Sequence, residues 1–250
     1  MRLFFCLIFI SSLSFADTKL LLIGGGKRPV EAMKEFTRLA GGNQARILVI
    51  PWASESTAAA EAIKAELACH SIGEIEIIPH SLNTNDVKNL IKKLENSSGI
   101  FFTGGDQNKL MSIMKSYQLR NQFRSKFFEG VIFGGTSAGT AIMSNPMLTG
   151  SADLTVLDGT QVELAEGLGL LPPSIIVDQH FIMRSRFNRL AGLILKNKAQ
   201  LGIGVDENTS LLIRDREAQV IGPSQVLFFK RLKSNELNIR VLGPQDRLTF

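Results

Sequence analysis

The sequence predicts an α/β fold built on a mostly parallel sheet. Three observations lead there. Short, continuous apolar runs recur along the chain, and several end in paired glycines, as strands buried on both faces do. Segments of helical character, about 10–15 residues long, alternate with these runs and imply βαβ units. The most glycine-rich turns, Gly24-Gly25-Gly26, Gly104-Gly105 and Gly134-Gly135, all follow such runs. That is the end of the strands where an α/β sheet collects its chemistry.

The elements follow in order. Residues 19–23 form the first strand and run into the glycine triplet. Pro29 suits the first turn of a helix that Gly41-Gly42 ends. Residues 47–50 are a second strand, stopped by Pro51, and residues 58–67 are good helix formers. Residues 74–78 alternate as a strand does. Val87, Leu90, Ile91 and Leu94 fall at i, i+3, i+4, i+7 and mark an amphipathic helix, with Thr84 or Asn85 as its cap. Residues 99–103 and 131–133 are two more buried strands. Residues 190–195 suggest a further helix. Residues 211–213 and 226–229 read as late strands.

The 250 residues are 44% hydrophobic and 20% charged, enough for one large domain with a full core. We expect that domain to span residues 17–250. Residues 1–16 read as a secretory signal: Arg2 opens it, residues 3–10 are apolar, and Ser14-Phe15-Ala16 offers a cleavage site before Asp17. Export to the periplasm or the medium is the expectation, with no membrane anchor once the signal is removed, because no later run approaches about 20 apolar residues. Cys69 is then the single cysteine of the mature chain, so no internal disulfide is expected. The net charge of +5 is scattered except at Arg184, Arg186 and Arg189, which argues against nucleic-acid binding.

Gly135-Thr136-Ser137-Ala138-Gly139 is a G-x-S-x-G element between a buried strand and a helical stretch, the context of a nucleophile elbow. Such a turn lifts the Ser137 hydroxyl off the sheet, and the Ala138 N–H can meet a developing oxyanion. Gly104-Gly105-Asp106-Gln107 follows another strand. Gly105 can supply a second oxyanion donor there, and Gln107 can orient substrate; a plain turn with a helix cap at Asp106 or Asn108 is the alternative. Of three histidines, His70 and His80 read as surface residues. His180 ends the apolar run 175–177 within Asp178-Gln179-His180-Phe181, so it is the candidate base. An orienting acid must come from Asp178, Asp206 or Glu207, and spacing does not choose among them. The arginines just past His180 offer forked grips for carboxylates. Gly24-Gly25-Gly26-Lys27 lacks the P-loop spacing, and no zinc motif or Cys/His cluster is present, so no metal is expected.

Four ordered segments resemble the cyanophycinase family of serine peptidases, family S51. They are Phe101-Phe102-Thr103-Gly104-Gly105-Asp106-Gln107, Gly134-Gly135-Thr136-Ser137-Ala138-Gly139, Asp178-Gln179-His180-Phe181 with Arg184, Arg186 and Arg189, and Gly202-Ile203-Gly204-Val205-Asp206-Glu207-Asn208. The resemblance implies a three-layer, doubly wound sheet of the class I glutamine amidotransferase (flavodoxin-like) type. It implies a Ser137–His180–Glu207 triad, no cofactor and a homodimer. It also implies cleavage of cyanophycin, a polyaspartate with arginines on its β-carboxyls, to β-Asp-Arg dipeptides. Gln107, Asp178, Gln179, Arg184, Arg186 and Arg189 match positions of the family's substrate pocket. Thr140, Ser185 and Asn188 depart from the family pattern. Competing readings are an aspartyl or isoaspartyl dipeptidase and an inactive protein that captures acidic peptides. A conventional α/β-hydrolase places its acid before its histidine, which Glu207 does not do.

Overall fold

The computed structural model describes residues 18–70 and 73–249; the expected signal at residues 1–16 lies outside them. In chain order the first half comprises β1 (Lys19–Ile23), α1 (Val30–Leu39), β2 (Arg46–Ile50), α2 (Ala58–Ala68), β3 (Glu74–Ile77), α3 (Thr84–Asn96), β4 (Gly99–Phe102), α4 (Gln107–Ser116), α5 (Arg120–Phe128) and β5 (Ile132–Thr136). The second half adds α6 (Ala138–Ala141), β6 (Met147–Leu148), β7 (Leu164–Ala165), β8 (Ile175–Asp178), α7 (Phe187–Leu195), β9 (Leu201–Val205), β10 (Ser210–Arg214), β11 (Glu217–Ile221), β12 (Val226–Lys233), β13 (Glu236–Leu242) and β14 (Arg247–Thr249).

The central sheet has the order β14-β11-β10-β1-β5-β4-β2-β3. Its half from β1 to β3 is parallel throughout. β10, β11 and β14 extend it antiparallel beside β1. The expected parallel core is therefore present, with an antiparallel wing.

Alternation along each parallel strand sends side chains to two apolar layers. Leu21, Ile23, Ile47, Val49 and Phe101 meet Ala32, Met33 and Phe36 of α1 and Ala60, Ile63 and Leu67 of α2. Phe36 meets Phe101 edge to face at 5.3 Å. Burying a side chain of that size contributes roughly 1.5–3 kcal/mol. Leu22, Leu48, Ile50, Ile100, Phe102 and Phe133 face the other way, onto α3, α4 and α5.

A second sheet, β13-β12-β9-β8, packs on that same face through Val177, Ile203, Val226 and Phe228. Its outer side is covered by α7, through Leu190, Leu193 and Ile194 against Ile176 and Phe229. β8 and β9 run parallel, so their carboxyl ends lie together.

Two local expectations change. The cap of α3 is Asn83, not Thr84 or Asn85: its side chain accepts from the N–H groups of Asn85 and Asp86, and Asp86 answers in a capping box. Pro29 precedes α1 as its cap and does not enter the first turn.

Candidate active site

The elbow forms because the chain must reverse between β5 and α6 in one residue. Ser137 takes φ 54° and ψ −114°, outside the ordinary regions for an L-residue. Its N–H donates to the Ile23 carbonyl at 3.0 Å, which ties the turn to β1. Close packing excludes side chains on either flank. A Cβ on Gly135 would lie 2.3 Å from the Gly139 carbonyl oxygen, and one on Gly139 would lie 2.5 Å from that of Phe102. Thr140, buried in α6, accounts for its hydroxyl by approaching the carbonyls of Ile23 at 2.7 Å and Gly135 at 2.8 Å.

His180 follows β8 and also stands in the left-handed region, φ 50°. Its Nε2 lies 2.8 Å from Ser137 Oγ. Its Nδ1 is hydrogen-bonded to Glu207 Oε1, so the carboxylate selects the tautomer that leaves Nε2 free to accept. The other two candidate acids are occupied elsewhere. Both oxygens of Asp178 bind Arg189, at 2.7 Å to Nε and 2.5 Å to an Nη. Asp206 Oδ1 accepts from the N–H groups of Ile182 and Met183 at 2.9 and 3.0 Å. The choice that spacing left open is thus made by the turn after β9, which directs Asp206 and Glu207 to different partners.

The turn after β1 holds these pieces together. Gly24 accepts from His180 N–H at 2.6 Å, and Gly25 accepts from Asn208 N–H at 2.9 Å. Asn208 in turn accepts from Lys27 N–H at 2.7 Å. A Cβ on Gly25, which has φ 111°, would lie 2.2 Å from the His180 ring. The glycine triplet, which the sequence marks as a glycine-rich turn at a strand end and not as a P-loop, is where the His180 ring lies against the backbone. Its signal was an unexplained third glycine after a buried strand.

Burial pushes the His180 imidazole below the 6.5 of a free histidine. The bond to Glu207 opposes that shift, and the positive charges of Arg184 and Arg186 add to it. His180 is therefore neutral, and able to accept a proton, at neutral pH.

The remaining predicted residues divide by depth. Gly104 lies against Ser137, since a Cβ there would be 3.3 Å from the serine Cβ; Gly105 follows it. The Ala138 N–H stands at the first position of α6, where no intrahelical acceptor exists. Gln179 Oε1 is 3.5 Å from Ser137 Oγ, a longer contact than the serine makes with His180. Gln107 is buried, and its amide donates to the carbonyls of Leu148 at 3.0 Å and Thr149 at 2.5 Å. Asp106 caps α4. Arg189 is buried against Asp178 and also donates to the Gly150 carbonyl at 3.1 Å. Arg186 is nearly buried, donates to the Gln179 carbonyl at 2.7 Å, and has its pKa lowered to about 10, chiefly by burial, so it stays charged at neutral pH. Arg184 is exposed, with Nε 3.8 Å from Glu207 Oε1. His70 and His80 are not brought to this site; His80 is half-buried, with Nε2 enclosed and unpartnered among the described residues. A groove of about 460 Å³ reaches Gly26 and is lined by Lys27, Arg28, Glu66, Cys69 and His70. Among the described residues, no group of three or more His, Cys, Asp or Glu side chains is arranged to hold a metal ion. No helix among them is long and apolar enough to cross a membrane.

Comparison with known proteins gives the family. The model of peptidase family S51 matches residues 20–221. The chain is 32% identical to a cyanophycinase of Nostoc sp. (strain PCC 7120) over 93% of its length and 80% of that protein's. The chain belongs to peptidase family S51. It is therefore an enzyme of the serine-peptidase type. It is also 33% identical to a cyanophycinase of Geminocystis herdmanii over 94% of this chain and 89% of that one. Among solved structures, a peptidase from an acI-B1 Actinobacterium superposes with a TM-score of 0.72, covering 93% of this chain and 97% of that chain. At 23% identity that likeness speaks for the fold, and it agrees with the expected flavodoxin-like arrangement.

Proposed function

We propose that this S51 peptidase hydrolyses cyanophycin to β-Asp-Arg dipeptides, with Ser137 as nucleophile, His180 as general base and Glu207 as the orienting acid. The observation that carries the reading is the unbroken contact from Ser137 Oγ through the His180 ring to Glu207. His180 Nε2 takes the serine proton as Oγ attacks the scissile carbonyl. The oxyanion that forms is met by the N–H groups of Gly105 and Ala138. His180 then gives its proton to the leaving amine, and an acyl-enzyme ester remains on Ser137. Water activated by the same imidazole releases the acid. Glu207, hydrogen-bonded to Nδ1, holds the ring in place and stabilises the imidazolium.

In this reading Arg184, exposed beside Glu207, grips a substrate carboxylate, and Gln179 faces the bound peptide. Arg186 reinforces the positive field from behind. Arg189 and Asp178 support the site by binding each other, and Gln107 does so by holding the carbonyls of residues 148 and 149. Export follows from the leader, with Asp17 as the mature N-terminus, which N-terminal sequencing of the secreted protein checks. Assembly as a homodimer rests on the family resemblance.

The test is to incubate the mature protein with cyanophycin and with α- and β-aspartyl dipeptides and to identify the products by mass. β-Asp-Arg from the polymer supports the proposal. Turnover of dipeptides alone replaces it with a dipeptidase. Absence of turnover together with no labelling of Ser137 by a fluorophosphonate points to a binding protein.

A further inference from the structure

We propose that Asp206 is a positioning residue for the base: its carboxylate fixes the turn that carries His180, while its neighbour Glu207 faces the ring. The proposal rests on the reading of Ser137, His180 and Glu207 as the reacting groups. His180 stands in a left-handed conformation that a histidine does not hold unaided, so its flanks must fix it. On one side its N–H is held by the Gly24 carbonyl. On the other, Phe181 is anchored by its ring, which lies where a Cβ on Gly204 would sit, and by its N–H on the Val205 carbonyl at 3.2 Å.

The next two residues lie in a turn closed by the Arg184 N–H on the His180 carbonyl at 3.0 Å and the Ser185 N–H on the Ile182 carbonyl at 2.9 Å. Ile182 and Met183 are 45% and 64% exposed, so packing does not place them. What ties that turn to the end of β9 is one oxygen of Asp206, which accepts the N–H groups of both residues. The other oxygen accepts from Ser224 Oγ at 2.6 Å, and the Asp206 N–H donates to the Gln225 carbonyl at 3.2 Å. The carboxylate, 6% exposed, is thereby clamped to the segment that follows β11, and it passes that rigidity to the turn after β8. The charges that move the His180 pKa belong to Glu207, Arg184 and Arg186. Asp206 therefore acts through geometry. The effect is worth having because a misplacement of about 1 Å can cost on the order of 10²-fold in rate.

The experiment measures four quantities in Asp206→Ala, Asp206→Asn and Ser224→Ala: kcat, KM, the acid limb of the pH profile, and the rate at which a fluorophosphonate labels Ser137. Ser137→Ala is the control. Asp206→Ala should lower kcat and the labelling rate together by about 30–100-fold, with KM within about threefold and the acid limb unmoved. Asp206→Asn should restore most of that loss, because its carbonyl still accepts both N–H groups and its amide reaches Ser224 Oγ. Ser224→Ala should cost only about three- to fivefold, since Oδ1 keeps its two donors. If Asp206→Ala fails to fold, the Asn and Ser224 variants carry the test. The proposal is overturned if Asp206→Ala keeps kcat within twofold, if Asn is as slow as Ala, or if the loss falls on KM or moves the acid limb. Activity surviving in Ser137→Ala would instead overturn the triad reading, and this proposal with it.

Discussion

Asp178 and His180 stand two residues apart and end in opposite electrostatic company. The Asp178 side chain is 1% exposed, and its partner Arg189 is 2% exposed. Arg186 adds a second positive charge at 3.5 Å. A charge that deep is tolerable only when fixed hydrogen-bonded partners answer it, so the cluster has no freedom to exchange a partner for substrate. His180, with 8% of its side chain exposed, lies between a serine, a carboxylate and the exposed Arg184. It is buried enough to be neutral at pH 7 and open enough to take a proton. In the proposed mechanism one short segment thus supplies both a buried support and the base, and their different partners separate the two roles.

Six substitutions sharpen or break that contrast. On the reactive side, Ser137→Ala should lower kcat by about 10⁴-fold or more with an unchanged unfolding midpoint. Near-native turnover would remove Ser137 from the chemistry. Glu207→Gln should cost about 10²–10⁴-fold in kcat, because the imidazolium loses its counter-charge. Asp178→Asn, if the contrast holds, should act chiefly on stability; a kcat loss matching that of Glu207→Gln at full stability would transfer the orienting role to Asp178.

On the supporting side, Arg189→Met should destabilise the fold by about 3–5 kcal/mol in urea denaturation, since it leaves the buried Asp178 carboxylate with only Arg186 at 3.5 Å and the Gln179 N–H at 2.8 Å as partners. A change under about 1 kcal/mol would mean that the pair is easily replaced, and depth would then not explain its role.

The smallest effects belong at the rim. His180 has a lowered pKa, so kcat/KM should stay level as pH falls through 6.5 and drop only below it, where the imidazole gains its proton. Arg184→Gln removes a positive charge that opposes this protonation, so the acid limb should move to higher pH. Arg184→Lys keeps the charge and loses the forked grip. It should leave the limb in place and raise KM for an aspartate-rich peptide about tenfold, the loss of roughly 1.4 kcal/mol of a charge-assisted contact. An unmoved limb in the Gln variant would show that Arg184 and His180 are electrostatically independent.

The local sequence determined the parallel core and the elbow. Residues 20–23 and 47–50 have few choices other than buried strands, because a run that is apolar at successive positions must hide both faces. The glycines around Ser137 spell a turn that only small residues can make. The helices α4 and α5 left a fainter trace; Arg120, Gln122 and Arg124 interrupt the apolar spacing of α5, so its burial of Phe123 and Phe127 shows only once the sheet is there to receive them. The second sheet was not legible either. The run 226–229 of β12 reads as a late strand and 175–177 of β8 as an apolar run, β9 is not marked as a strand, and alternation says nothing about which sheet a strand joins. The same limit applies to the three acids near His180. Their spacing along the chain was equal to any of the three roles, and what separates them is the parallel pairing of β8 with β9. That pairing brings the two strand ends side by side, sends Asp178 down to Arg189, and leaves Glu207 level with the imidazole. Contacts of that kind join residues far apart in sequence, and only the folded chain carries the information that selects among them.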